Sequence, residues 1–171
     1  MIVQHSAKND AWGTPTDIIE ASREVMGSID FDPCSSAEGN LRVKATDWSD
    51  AGLCRVLWHG NMLINPPGGR IGKAKLPVLF WHRLLTERQN IKQAIVVGFT
   101  LEHLMRTQES PLGGMLNFPL CVPSRRLSFF PLVGQEVSSP GHANVIVYVP
   151  GREDRTRRFV DAFTQFGECK I

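Results

Sequence analysis

The chain has no Cys-x-x-Cys pair; its four cysteines stand at 34, 54, 121 and 169. Spacing this wide excludes the usual structural zinc sites and the framework of a small disulfide scaffold, so reduced thiols are expected. The five histidines, at 5, 59, 82, 103 and 142, show no metal-ligand spacing either, and no metal is expected. There is no Ser-His-Asp pattern and no phosphate-binding P-loop. No stretch approaches the roughly 20 apolar residues that span a bilayer, and Met1 to Ser6 does not open a leader of charged and then apolar residues. A soluble cytoplasmic protein with no membrane partner is therefore expected. A formal net charge of only +2 exerts no global pull on a polyanion. Any nucleic-acid contact has to come from local basic clusters.

With 171 residues and 42% hydrophobic content, four of the residues being tryptophan, the chain can bury one sizeable core. Residues 1–171 are expected to form a single compact domain. Thr14-Pro15-Thr16 reads as a helix start, with Thr14 capping and Pro15 first in the helix. That helix runs from about Asp17 to Met26, with Ile18, Ile19, Ser22 and Val25 on its inward face. Further helices are expected over 77–89, 102–108 and 154–166, the first with Val78, Phe80, Trp81, Leu84 and Leu85 as a broad apolar face. Strands are expected at 29–32, 62–65, 94–99, 116–123, 126–130 and 143–149. Ala94 to Phe99 is apolar throughout, like a strand covered on both sides of a parallel sheet. Leu41 to Ala45 suits either a short strand or the end of a helix. No internal repeat interrupts the alternation, which favours an α/β sheet with helices on both faces.

The stretch Met62-Leu63-Ile64-Asn65-Pro66-Pro67-Gly68-Gly69 organises the chemistry. Neither proline has an N–H to give to a ladder, so the strand stops at Asn65. The residue before each proline is held extended, which fixes the Asn amide and the neighbouring carbonyls. Such an edge suits a planar amino group, which donates two N–H bonds to two acceptors in its own plane. A plain proline turn with a flexible Gly-Gly loop is the alternative reading of this stretch taken alone. Asp32-Pro33 ends another short strand, and in open α/β sheets ligands bind outside the carboxyl ends of strands. One pocket with a ligand at Asp32 and an amine at Asn65 follows as an expectation.

Three motifs in order, Trp12-Gly13-Thr14-Pro15, Phe31-Asp32-Pro33-Cys34-Ser35-Ser36 and Asn65-Pro66-Pro67, resemble the phage and prophage DNA adenine-N6 methyltransferase family (Dam-like) over nearly the whole chain. The resemblance implies a Rossmann-like methyltransferase sheet, mostly parallel with one reversed strand, and S-adenosylmethionine as cofactor. It implies a phage- or prophage-encoded protein in the bacterial cytoplasm, with DNA as partner. Asp32 would meet the cofactor's ammonium, and Pro33, Cys34, Ser35 and Ser36 would line it. Trp12, Thr14 and Pro15 would pack against it, and Asp47 or Asp50 would take the ribose. Asn65, Pro66 and Pro67 would form the catalytic set, holding adenine N6 after the base flips out of the duplex.

The family's aromatic residue after Asn-Pro-Pro is here Gly68. Loss of a stacking platform weakens base binding by roughly 1–3 kcal/mol. Phe80, Trp81 or Trp12 could supply a ring; the glycine-rich loop from Gly68 to Lys75, expected to be mobile, could close over the substrate; or methylation could be lost. Arg70, Lys73 and Lys75 in that loop, with Arg125 and Arg126, are the expected DNA contacts. The alternatives are cytosine N4 as target, a protein or small-molecule amine, and a noncatalytic relative that binds DNA or cofactor. With little chain left for a target-recognition domain, short or relaxed sequence specificity is expected.

Overall fold

The computed structural model describes residues 12–55, 57–98, 101–131 and 143–171. The polar stretch before Trp12, Phe99 and the residues around Gly141 lie outside these. The first half of the chain comprises β1 (Trp12–Gly13), α1 (Thr16–Met26), β2 (Phe31–Asp32), α2 (Ala37–Val43), β3 (Asp47–Trp48), β4 (Gly60–Ile64), β5 (Arg70–Ile71), β6 (Ala74–Lys75) and α3 (Leu76–Glu87). The second half comprises β7 (Ile91–Gly98), α4 (Leu101–Thr107), β8 (Leu120–Pro123), β9 (Phe130–Pro131), β10 (Val145–Pro150), α5 (Thr156–Phe163) and β11 (Gly167–Lys170).

Seven strands form the central sheet in the order β11-β8-β10-β7-β4-β2-β3. β3, β2, β4 and β7 pair in parallel, whereas β10 is antiparallel to both β7 and β8, and β11 to β8. β10 and β11 are therefore both reversed, not one strand as the resemblance implied. β11, unforeseen in the sequence, pairs along the outer side of β8 and covers N–H and C=O groups that would otherwise form an open edge.

The central strands β4, β7 and β10 are buried on both faces, whereas β11 and the end of β8 leave one side exposed. Leu63, Ile95, Val97, Ile146 and Tyr148 point into one core cluster with α1 and α5, and Met62, Ile64, Ala94, Val96 and Val147 point into another with α3. The alternation is the period-two geometry of strands applied to apolar runs covered on both sides. Ile18, Ile19, Ser22 and Val25 are each fully buried. At roughly 1.5–3 kcal/mol for each large apolar side chain, this face of α1 is a main anchor of the cluster.

Several local elements differ from expectation for identifiable reasons. Pro15 (ψ 142) is extended and caps α1 through its carbonyl, which accepts the Ile19 N–H at 3.0 Å; Thr14, held out of the helix before a proline, is buried and is not the cap. Leu41 to Val43 end α2, and Lys44 closes it with left-handed φ 51. The glycine-rich segment is a hairpin of β5 and β6, its two-residue turn beginning at Gly72 with φ 60, as a II′ turn requires. Within 126–130 only Phe130 enters a strand, since the Leu127 N–H donates to the Asn144 side chain at 3.4 Å.

At the amino end of the parallel strands lies a closed polar network. Asn61 Nδ2 donates to the Met26 carbonyl and the Ser28 hydroxyl, and its Oδ1 accepts from Gln93 Nε2 at 2.9 Å. Gln93 Oε1 accepts from the Tyr148 hydroxyl at 2.8 Å, and that hydroxyl accepts the Arg155 N–H at 2.6 Å. No helix among the described residues is long and apolar enough to cross a membrane.

Candidate functional site

β2 and β4 are parallel neighbours, with Phe31 level with Met62, so Asp32 and Asn65 leave the sheet at the same end. They line one pocket of about 90 Å3 with Trp12, Gly13, Thr14, Cys34, Ser35, Ser36, Glu38, Gly39, Arg42, Val43 and Phe130. Asn65 is 9% exposed, and its Nδ2 donates to the Trp12 carbonyl at 2.8 Å. Because that carbonyl can only accept, the amide orientation is fixed, with nitrogen toward Trp12. Asn65 Oδ1 is buried without a hydrogen-bond partner among the described residues. An orphan acceptor of this kind costs about 1–3 kcal/mol and marks a place where a donor belongs.

Asp32, 4% exposed, accepts the Cys34 N–H at 2.9 Å, and its carboxylate also bonds the Ser35 side chain. Burial outweighs both and pushes its pKa up to about 7. No ion pair offsets that burial among the described residues, so a cationic group of a ligand would find an acceptor here at low desolvation cost. Cys34 lies against the Asn65 backbone; burial, and then the Asp32 charge, hold its pKa well above the thiol range. It is a neutral wall and not a nucleophile at neutral pH.

The pocket's aromatic side is built by a contact between distant segments. β1 and β9 pair antiparallel, Gly13 level with Phe130, which brings the Phe130 ring beside Trp12. The Arg42 guanidinium stacks 3.7 Å from the centre of that ring. Neither Phe130 nor Arg42 is singled out in the sequence: Phe130 reaches the pocket only through the β1–β9 pairing, and Arg42 only because α2, which follows Ser36, turns it toward the Phe130 ring.

Other expected residues lie elsewhere. Asp47 opens β3 level with Phe31, one step below the strand ends; it is bound by Arg55 at 2.6 Å and by His59 at 3.4 Å and does not line the pocket. Asp50 is exposed in the following turn. Phe80 and Trp81 are core residues of α3, 3% and 1% exposed; Phe80 packs on Trp58 and the Trp81 indole donates to the Gly113 carbonyl at 3.0 Å. Neither presents a ring to the pocket, because the apolar face of α3 turns them into the sheet. Pro33 and Pro66 are buried and Pro67 is half-buried, all beside the pocket without lining it. Gly52 packs so closely on the Pro33 carbonyl that a Cβ would not fit.

Gly68 is half-buried, Arg70 and Lys73 are exposed on the hairpin, and Lys75 is paired with Glu102. Arg125 and Arg126 are exposed in a more open cleft of about 610 Å3 with Pro15, Thr16, Asp17, Ser124 and Ser128. Phe130 borders both that cleft and the pocket. Among the described residues no group of three or more His, Cys, Asp and Glu is arranged to hold a metal ion. No family model, curated protein or solved structure matches the chain.

Proposed function

We propose that the chain is an S-adenosylmethionine-dependent DNA methyltransferase that methylates the exocyclic N6 of adenine, on a Rossmann-like sheet. The observation that carries this reading is Asn65 Oδ1, a buried acceptor with no donor among the described residues, at the end of a parallel strand beside a buried carboxyl group that makes no ion pair among them. Asp32 fits the cofactor's ammonium, since a cation would lower a carboxyl pKa that burial has raised to about 7. When bound, S-adenosylmethionine supplies the electrophilic methyl group. Asn65 Oδ1 accepts one hydrogen of the amine, and the Pro66 carbonyl, next along the chain, accepts the other. Both acceptors are fixed before the amine arrives, and both bonds strengthen as the nitrogen gains positive charge.

A target base has to leave the duplex to reach Asn65. Phe130 is the ring that takes the place left empty at Gly68, held by Arg42 and lying on the same pocket wall as Trp12. Arg125 and Arg126 make no ion pair among the described residues, and their cleft continues from the pocket past Phe130. A cleft of about 610 Å3 with two guanidinium groups suits the phosphates flanking the flipped base.

Transfer of labelled methyl from S-adenosylmethionine to unmethylated DNA, followed by nucleoside analysis, tests the reading. N6-methyladenosine is expected. N4-methylcytosine would move the reaction to the other exocyclic amine that the same acceptors fit, and label on neither base would refute DNA methylation.

A further inference from the structure

Cys121 in β8 and Cys169 in β11 stand directly opposite one another in the antiparallel ladder. Opposed residues in such a ladder have Cα atoms roughly 4.5 or 5.5 Å apart and side chains on one face. Either spacing lies within the roughly 4.4–6.8 Å that a disulfide spans. The two thiols are neighbours on one face of the ladder. Both face α5, Cys121 Sγ donating to the Phe163 carbonyl at 3.5 Å and Cys169 Sγ to the Val160 carbonyl at 4.0 Å. Cys121 is fully buried and Cys169, on the edge strand, is half-buried. The other thiols stand apart, Cys34 in the pocket beyond β2 and Cys54 exposed after β3.

We infer that Cys121 and Cys169 form a thiol–disulfide exchange site, which a small-molecule disulfide oxidises to an intrachain cross-link between β8 and the edge strand β11. Cys169, the accessible member, gives up its proton and attacks one sulfur of the small disulfide. The S–S bond breaks, and the first half leaves as a thiol carrying that proton. Cys121 then attacks Cys169 Sγ, the mixed disulfide breaks, and the second half leaves with the Cys121 proton. Two protein thiols lose two electrons in all, and one small disulfide becomes two thiols.

The order of attack follows from the surroundings. Burial, and then the neighbouring Cys169, push the Cys121 thiol up to about 12, so it is a poor first nucleophile. Once Cys169 is capped, its sulfur stands opposite Cys121 in the ladder, and proximity carries the second step. The cross-link closes a loop that contains Phe130, β10 and α5. The site rests on the ladder register and on the shared packing of both sulfurs against α5, and stands apart from the proposed methyl transfer.

The test is incubation of the folded full chain with oxidised glutathione, alkylation of the remaining thiols under denaturing conditions, and mass mapping of the peptides. A linked Cys121–Cys169 peptide that dithiothreitol releases is expected. The melting temperature should rise by roughly 5–15 °C on oxidation, from the constraint placed on the unfolded chain. Cys169→Ser should lose both the link and the rise while Cys54 still takes up glutathione, and Cys54→Ser should keep both. Glutathione left on Cys169 as a mixed disulfide in the native protein would overturn the inference, and so would a link that forms only after unfolding in urea.

Discussion

Two asparagines and two aspartates occupy opposite ends of the same pair of strands, and their surroundings differ in kind. At the amino end, Asn61 uses both its amide nitrogen and its oxygen in the network through Gln93 and Tyr148. Burial would raise the pKa of Asp30 there, but the Asn61 N–H, the Ser28 hydroxyl and the Lys92 charge together hold it below the usual value. At the carboxyl end, Asn65 Oδ1 has no partner among the described residues, and Asp32 is pushed up to about 7. Both ends are made of the same residue types on the same strands. One end is completed by the protein itself, and the other is left to be completed by something else. Buried polar groups without partners concentrate where a ligand is meant to supply them.

The largest effect that would sharpen this contrast is expected at Asp32. Its raised pKa means that the folded state holds a proton which the unfolded state has released between about pH 4 and 7. This group therefore lowers stability as pH rises through that window, and the cost is complete above pH 7. Releasing that proton in the folded state costs on the order of 4 kcal/mol. Asp32→Asn should raise the melting temperature at pH 8 but not at pH 4, while cofactor affinity falls at least about tenfold through loss of a charge-assisted bond. A variant no more stable than wild type at pH 8 would break the account of this end of the sheet.

Asn61→Ala should do the opposite. It leaves the buried Gln93 amide nitrogen without its acceptor, while the Met26 carbonyl keeps Arg155 Nη1 at 2.9 Å, so denaturant unfolding should show a loss of about 1–3 kcal/mol, with methyl transfer per folded molecule unchanged. Transfer lost in proportion beyond folding would erase the distinction between the two ends. Phe130→Ala should weaken binding of an oligonucleotide carrying an abasic or mismatched target by about 1–3 kcal/mol, leaving cofactor affinity within twofold. The smallest effect is expected for Arg125→Ala with Arg126→Ala. Oligonucleotide affinity should fall evenly across sequences, with the slope against log salt reduced by about two, and an unchanged slope would remove the cleft from the DNA path.

The features legible in the sequence were those set by near neighbours. Ile18, Ile19, Ser22 and Val25 carry the helical period that buries α1, and the apolar run after Gln93 marks a strand covered on both sides. Pro33 and Pro66 show where β2 and β4 stop, and so where Asp32 and Asn65 emerge. What was not legible depends on pairings across the chain. Phe130 reaches the pocket only because Gly13 pairs with it, and β11 is a strand only because β8 offers an edge. Asp47 and the rings of Phe80 and Trp81 have suitable chemistry. A single step of register in β3 and the rotation of α3 set them away from the pocket. The glycine-rich segment composes a mobile loop on paper, yet Gly72 is where a tight hairpin turn needs positive φ.

The role proposed for Asn65 Oδ1 is that of an acceptor held open for an amine. It is tested most directly by single-turnover methyl transfer to DNA with wild type and Asn65→Ala, alongside S-adenosylmethionine binding by calorimetry. Removal of one fixed acceptor should lower the transfer rate by about 10²–10³-fold, with cofactor affinity within about threefold and stability no lower than that of Asn61→Ala. Equal transfer rates in the two proteins would contradict the claim.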